Sequence, residues 1–308
     1  MLTLFSIPKP FRGHIGVIQT NAIHSWTRLQ PRPEIILLGD EAGTPEIARE
    51  LGLRHIPTIE RNEYGTPLVN SVFYVGQAAA SHPLICYINA DIILLSSFMR
   101  AVQFLSRQMQ GTDFLAVGQR WNVELNEVLD FHTPTWESDL MAYVTKYGEL
   151  HPPSGIDYFL TPKGFWRNIP PFALGRSRWD NWLIYSARAR KVPVVDITPV
   201  AMVVHQQHDY SHMPDGLMWI KKGPEAKLNW QLRGGVRGLY TTLDATHILT
   251  QQGLRSVPIT RHLAGSLCRV KAAATYILTH TFYPWSYPLI LTVKLIRASM
   301  NALDKLVR

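Results

Sequence analysis

The 308-residue sequence has little cysteine and no long apolar or basic run. Its two cysteines, Cys86 and Cys268, have no further cysteine near them, which argues against a disulfide framework or a cysteine zinc site and indicates a reducing compartment. No uncharged apolar run reaches the roughly 18 residues of a membrane-spanning helix. The N-terminus lacks the pattern of a signal peptide, and no run of five or six Lys/Arg residues predicts a nucleic-acid-binding arm. We expect a cytoplasmic protein that does not bind nucleic acid.

What the chain does contain is a globular composition with an excess of positive charge. Hydrophobic residues make up 46% and charged residues 18%, and the net charge is +8. Such a composition is typical of a folded protein. The charge favours an anionic partner, such as a phosphorylated small molecule or an anionic membrane surface.

Short apolar runs alternate with segments of helical periodicity over the first ninety-odd residues. The runs at 2–7, 34–38, 55–56 and 84–88 predict strands, and the segments at 16–29, 44–52 and 68–80 predict helices. This alternation predicts an α/β fold with a mostly parallel sheet and helices on both faces. Neither GxGxxG nor GxxxxGK[ST] follows the first strand, so a classical dinucleotide or P-loop site is not expected.

The apolar run at 84–95 is interrupted by Asn89 and Asp91. Burying a carboxylate in such a run is costly unless it is paired, bound to a metal or at the end of the strand. We therefore place both residues at the carboxyl end of a central strand, where positions i and i+2 point to one side and where ligands bind in open α/β sheets. The alternative is an ordinary turn.

Three short motifs in residues 65–91 carry a resemblance to a known family: Gly65-Thr-Pro-Leu-Val-Asn, Gly76-Gln-Ala-Ala-Ala80 and Ile85-Cys-Tyr-Ile-Asn-Ala-Asp91. They are similar to the helix, strand and acidic DxD motif of family 2 glycosyltransferases of the GT-A (Rossmann-like) fold. Two positions depart from that pattern: Asn89 replaces the first acid, and Val75 replaces an asparagine. The resemblance covers roughly residues 1–212. It implies a hexosyltransferase-type enzyme that transfers a sugar from a nucleotide sugar to a glycan or other hydroxyl acceptor.

For the donor, the resemblance implies a site along the carboxyl edge of the sheet. Asp91 and His205 would hold a divalent cation, Mn²⁺ or Mg²⁺, that neutralises the leaving diphosphate. Ser6, Pro8 and Asp40 would contact the base or ribose. Asn89 offers only a neutral oxygen or a hydrogen bond to ribose, so a metal-independent variant stays open.

Each donor residue also has a simpler interpretation. Asp40 could belong to an ordinary turn, and the histidines His205, His208 and His212 could form a polar loop or a zinc cluster. His208 or His212 could instead contact the diphosphate.

For the acceptor, the resemblance implies that Asp180 takes the proton from the attacking hydroxyl in an inverting reaction. Burial among aromatic neighbours would raise its pKa toward neutrality. Trp179 or Trp182 would stack on an acceptor sugar, and Asp157 would line the cleft. The alternative is a helix N-cap at Asp180 with both tryptophans in the core.

Arg120 with Trp121 could line the same cleft, and Arg176 and Arg178 could contact the diphosphate. Asp157, Arg120 and Trp121 could instead belong to ordinary strand ends, and Arg176 and Arg178 to a solvated positive surface.

Three domains are predicted: a GT-A catalytic domain at 1–215, a loop-rich bridge at 216–261, and an amphipathic, basic helical tail at 262–308. The tail would lie on the inner face of an anionic membrane, on the catalytic domain or on a second subunit. Two other functions stay open, a sugar-1-phosphate nucleotidyltransferase and a non-catalytic carbohydrate- or partner-binding protein derived from a transferase.

Overall fold

The structure is a computed structural model that describes residues 1–176, 178–208 and 223–281, with the backbone alone at 236–237 and 275–281. His212 and the part of the predicted tail after Thr281 lie outside the described residues.

The described residues form two sheets with α-helices packed against them. The strands are β1 (Leu2–Ser6), β2 (Glu34–Leu38), β3 (Arg54–Ile56), β4 (Leu84–Ile88), β5 (Ile92–Leu94), β6 (Leu115–Val117), β7 (Trp121–Val123), β8 (Glu149–Leu150), β9 (Tyr158–Pro162), β10 (Val194–Asp196), β11 (Val203–Gln206), β12 (His247–Thr250) and β13 (Gly253–Ser256). The helices are α1 (Gly13–Arg28), α2 (Thr44–Leu51), α3 (Val69–Ala79), α4 (Ser96–Gln108), α5 (Trp136–Tyr147), α6 (Trp179–Ala189), α7 (Pro224–Leu232) and α8 (Ile259–Thr281).

The large sheet has nine strands in the order β13-β12-β10-β6-β9-β4-β1-β2-β3. At one end of this sheet the strands β3, β2, β1 and β4 are parallel to one another, whereas β9, in the middle, runs antiparallel to both of its neighbours. A second sheet has the order β5-β11-β7-β8. The predicted α/β fold with a mostly parallel sheet is therefore confirmed.

Strand β4 shows why the central strands appear as unbroken apolar runs. Leu84, Cys86 and Ile88 face a core formed with α1, α2 and α4, whereas Ile85 and Tyr87 face a core formed with α3 and α6. Both faces of the strand are buried, so alternation with polar residues is lost. Helices cover both faces of the sheet, as predicted.

The polar and aromatic composition of residues 124–153 is typical of an insertion or a substrate loop, but this segment contains helix α5 and strand β8. Leu140 and Val144 of α5 pack against the second sheet, with Trp136 at the edge of that cluster. These three positions recur at intervals of four, so the helical pattern was present in the sequence. The many polar residues around them obscured it.

The predicted bridge at 216–261 also contains more regular structure than its glycines suggested. It contributes α7, and it contributes strands β12 and β13 to the large sheet through parallel pairing of β12 with β10. The strands are four residues long and meet at Gly253, whose φ of +110° favours glycine. Such short strands give little periodicity in the sequence. The domain boundaries stay predictions.

Candidate functional site

The carboxyl ends of β1 and β4 meet the amino end of β9 at one edge of the large sheet. Strand β9 is antiparallel to β4, and its first residue, Tyr158, pairs with Ile88 at the end of β4. Asp157 therefore lies beside Asn89, and the Asn89 amide N–H donates to the Asp157 carbonyl over 2.9 Å. This edge brings together residues that are 68 positions apart in the chain.

Asp91 lies against two histidines from strand β11 and the loop after it. His205 pairs with Ile92 across the second sheet. The Nε2 atoms of His205 and His208 lie 3.7 and 3.3 Å from Asp91 Oδ2. The intervening Gln206 donates from its side chain to the Asp91 carbonyl over 3.2 Å. Pairing of β5 with β11 therefore holds the two histidines beside Asp91.

The protonation states of this cluster suit a metal ligand set. Burial alone would raise the pKa of Asp91, but His205, His208 and Lys9 hold it well below its usual range. Burial lowers the pKa of His205 to about 4, although Asp91 opposes that shift. At neutral pH the carboxylate is ionised and the His205 imidazole is neutral, which are the forms that bind metals.

The cluster also has unused binding capacity. One ligand atom from each of Asp91, His205 and His208 lies within 4.8 Å of the others. Asp91 Oδ1 and His205 Nδ1 are buried without a hydrogen-bond partner among the described residues. A carboxylate with two imidazoles suits Mn²⁺ better than Mg²⁺. The residues present therefore fit a divalent cation.

Asn89, the neutral residue of the DxD-like motif, is held in a polar network. Its Nδ2 donates to Asp157 Oδ1 over 2.8 Å, and its Oδ1 accepts from the Tyr87 hydroxyl over 3.0 Å. Arg120 Nη1 donates to the same Asp157 oxygen over 2.6 Å. Asp157 Oδ2 is buried with no partner among the described residues. An amide at position 89 can donate to Asp157, whereas an ionised carboxylate there would repel it.

Lys9 is a site residue that the sequence reasoning missed. It follows β1, and the buried Gln19 fixes its backbone. The Lys9 N–H donates to Gln19 Oε1 over 2.6 Å, and Gln19 Nε2 donates to the Lys9 carbonyl over 2.8 Å. Within the part of the chain that the structure describes, its ammonium forms no hydrogen bond or ion pair. Burial lowers the pKa of Lys9, and Asp91 opposes that shift. A lysine immediately after the first strand of a parallel sheet was the available signal.

The predicted nucleotide-contacting residues lie at the ends of β1 and β2. Ser6 Oγ is buried without a partner among the described residues, and Pro8 is buried two positions later. The side chain of Asp40 is 70% exposed and accepts from Arg61 over 2.8 Å. Arg61 also pairs with Glu41 over 2.7 Å. Asp40 is thus accessible, but its carboxylate already has a cationic partner.

Asp180 lies in the first turn of α6 and is partly buried. Burial raises the pKa of Asp180 to about 6, and the charge of Asp157 adds to that shift. A hydrogen bond of 2.9 Å from the Asn181 amide and the charge of Arg178 oppose it. The residue just before the helix, Arg178, has a φ of +78°, a conformation that is strained for a non-glycine residue.

The two tryptophans beside Asp180 differ in their surroundings. The Trp179 ring is 6% exposed and packs edge-on against Tyr87, with ring centroids 5.6 Å apart. This burial leaves little of the Trp179 ring for a sugar to contact. Trp182 is partly buried and packs against Phe172 at 5.5 Å. Only Trp182 keeps substantial accessible surface.

Arg176, predicted as a diphosphate contact, is paired with a buried carboxylate. Its Nε donates to Glu225 Oε2 over 2.7 Å, and its Nη2 donates to Thr66 Oγ1 over 3.2 Å. The pair joins the loop before α6 to the start of α7. Its charge still reaches the site, because it contributes to the lowered pKa of Lys9.

No protein-family model matches the sequence, and no curated protein does either. Similar solved structures include S. aureus TarS 1-349, at 10% identity over 42% of this chain and a TM-score of 0.32. The chain spans 38% of the length of that TarS chain.

Glucosyl-3-phosphoglycerate synthase from Mycobacterium tuberculosis is also similar. In its complex with Mg²⁺ and UDP, the match has 13% identity over 76% of this chain and 80% of the other, with a TM-score of 0.43. In its complex with Mn²⁺, UDP and phosphoglyceric acid, the identity is 15%, over 76% of this chain and 79% of the other, with a TM-score of 0.44. For this chain, the fold is assigned from the order of its own strands, and the candidate site is assigned from the geometry of its own side chains.

Proposed function

We propose that the protein is a glycosyltransferase that moves a sugar from a nucleoside-diphosphate donor to a hydroxyl acceptor. The observation that carries this proposal is the cluster in which Asp91, shortly after β4 at the carboxyl edge of the parallel strands, lies against His205 and His208. This edge is where open α/β sheets bind ligands. It also coincides with the DxD-like motif on which the sequence resemblance depends.

The donor diphosphate lies against this cluster. Asp91, His205 and His208 would hold a Mn²⁺ or Mg²⁺ ion, and a bound divalent cation supplies positive charge to a leaving diphosphate. Lys9 contributes a second positive charge on the same side, since its ammonium has no partner among the described residues. A charge-assisted hydrogen bond to a phosphate oxygen would satisfy it. Ser6 and Pro8, at the end of β1, and Asp40 contact the nucleoside.

Asp180 acts as the base for the acceptor. A carboxylate whose pKa is about 6 is mostly ionised at pH 7 and is still a competent proton acceptor. It removes the proton from the acceptor hydroxyl as that oxygen attacks the anomeric carbon, and the bond to the diphosphate breaks with inversion. Trp182 and Asp157 flank the acceptor sugar. Trp182 lies two residues after Asp180 in the sequence, and the charge of Asp157 contributes to the raised pKa of Asp180.

The test is release of nucleoside diphosphate from a panel of nucleotide sugars, with Mn²⁺ and with mixed glycan acceptors. Wild-type protein is expected to release the diphosphate from at least one donor, and Asp91→Ala and Asp180→Asn are expected to be inactive. Glu149→Gln, a change of an exposed carboxyl group, serves as the matched control and keeps full activity. Absence of release from every donor, or full turnover by both site variants, overturns the proposal.

A further inference from the structure

Helix α8 is oriented with its arginines toward the body of the protein. Arg261 forms an ion pair with Asp196 and donates to the Thr242 carbonyl over 2.9 Å. Arg269 pairs with Asp244, and its guanidinium lies 4.5 Å from the centroid of the Tyr240 ring. Because 261 and 269 are eight residues apart, they lie on the same side of the helix.

The opposite side of α8 is apolar and exposed. Its large side chains are Ile259 (72% exposed), Leu263 (57%), Leu267 (61%) and Val270 (66%). These positions recur at intervals of three and four, so they form one stripe along the helix. A surface helix of a water-soluble domain normally shows the reverse arrangement, with apolar residues inward and charged residues outward.

The ion pairs hold this orientation in place. Asp196 is 2% exposed and Asp244 is 5% exposed, so each carboxylate needs a cationic partner. Gly265, between the two arginines, is so close to the body that a Cβ atom there would lie 3.0 Å from Asp244 Oδ1. Rotating the helix to bury its leucines would separate Asp196 and Asp244 from their arginine partners. The apolar stripe therefore faces outward as a built feature of the fold.

We propose that this stripe docks onto an anionic lipid surface. The charge of the surrounding chain is complementary to such a surface. Apart from Arg261 and Arg269, which are paired with Asp196 and Asp244, residues 259–308 contain one acid, Asp304, and the basic residues Lys271, Lys294, Arg297, Lys305 and Arg308. An apolar helical face attached to a basic segment is the combination that binds at the interface of anionic membranes.

The chain that follows α8 supports the same partner. It contains Tyr283, Trp285 and Tyr287, residue types that favour the boundary between headgroups and acyl chains. No helix of the described part of the chain is long and apolar enough to cross a membrane. The proposal is accordingly contact with one membrane surface through a helix lying along it. It is independent of the transferase chemistry.

The experiment is flotation of the full chain with two kinds of vesicle, phosphatidylcholine alone and phosphatidylcholine with roughly a third phosphatidylglycerol. We expect binding to the anionic vesicles alone and a decrease in binding with added salt, because salt screens the charge attraction. The double variant Leu263→Asp/Leu267→Asp should bind at least about tenfold more weakly, because it removes two leucine side chains that are buried in the lipid when the helix is bound. Val128→Asp, at a position 57% exposed elsewhere, is the matched control and should bind as wild type does.

Thermal unfolding and solution mass are measured on the same variants. The stripe variant should keep the wild-type unfolding midpoint, because its substituted side chains are exposed in the free protein. Absence of vesicle binding, or equal binding by the stripe variant, overturns the proposal. A wild-type dimer that the stripe variant converts to monomer, without vesicle binding, assigns the stripe to a second copy. A lowered midpoint without vesicle binding assigns it to the protein's own tail.

Discussion

Replacing Asp180 by asparagine should make the protein more stable at alkaline pH while abolishing its activity. The reason is the pKa of Asp180, which burial raises from 3.8 to about 6. The folded protein therefore binds this proton more tightly than the unfolded chain does. The stability that protonation contributes is fully present below pH 4 and is lost as the pH rises through 6. Asparagine keeps the oxygen that accepts from the Asn181 amide but never ionises.

The size of the effect follows from the pKa shift. About two units correspond to about 3 kcal/mol at 1.36 kcal/mol per unit. The side chain is partly accessible to water, which screens the effect, so we expect about 1–2 kcal/mol at pH 8. Near pH 4 the two proteins should have about the same free energy of unfolding. Other titrating groups are shared by both proteins and cancel in the difference.

Urea unfolding at pH 4 and pH 8 measures this difference, and diphosphate release measures the activity. Wild-type kcat should rise with pH through about 6 and then level off, because in the proposed mechanism the ionised form of Asp180 is the base. The variant should lose on the order of 10²- to 10⁴-fold in kcat. The exposed Asp113→Asn is the matched control and should show no pH-dependent gain. The buried-carboxylate reasoning is refuted if the difference in free energy of unfolding between the variant and the wild type is no larger at pH 8 than at pH 4.

Three further predictions test the donor side. Asn89→Asp should lower the free energy of unfolding by about 1–3 kcal/mol in urea titrations, because it replaces a hydrogen-bond donor to Asp157 with a like charge. Adding Asp157→Asn should restore most of the lost free energy. A single variant as stable as wild type would contradict the network. Lys9→Met should weaken nucleoside diphosphate binding about tenfold in calorimetry without affecting binding of the free nucleoside. The control Lys227→Met, at an exposed position, should change the affinity for neither ligand. Equal losses of affinity for both ligands would show that Lys9 has a merely structural role. His205→Ala should reduce Mn²⁺ affinity at least about tenfold in a direct titration, since it removes one of three ligands, and an unchanged affinity would exclude His205.

The central sheet could be predicted because its strands are buried on both faces. The helices and strands predicted in residues 1–95 are all present, with ends shifted by no more than three residues. Unbroken apolar runs and helical periodicity are local signals, and the rule that ligands bind at carboxyl ends of parallel strands then located Asp91. The second sheet was missed because β5, β7, β8 and β11 are two to four residues long. Pairing of such short strands depends on contacts that are distant in sequence.

The same distinction between local signals and contacts distant in sequence applies to the site residues. His205 and His208 were identifiable because they closely follow the apolar run 200–204, and the structure brings both to Asp91. The bond between Asn89 and Asp157 was not predictable, because it depends on β9 lying antiparallel beside β4. Lys9 was missed because its one signal in the sequence, a position shortly after the first strand, does not by itself indicate a binding site. Its significance comes from burial and from the absence of a partner among the described residues.

The central claim is that a donor diphosphate binds at the Asp91 cluster together with a divalent cation. Calorimetric titration of nucleoside diphosphates, with and without Mn²⁺, into wild type and Asp91→Asn tests it most directly. We predict that Mn²⁺ strengthens binding of at least one diphosphate to the wild type. The variant should lose this Mn²⁺ dependence and still bind the free nucleoside. A wild type that binds no diphosphate, or a variant that keeps the full Mn²⁺ effect, would contradict the account.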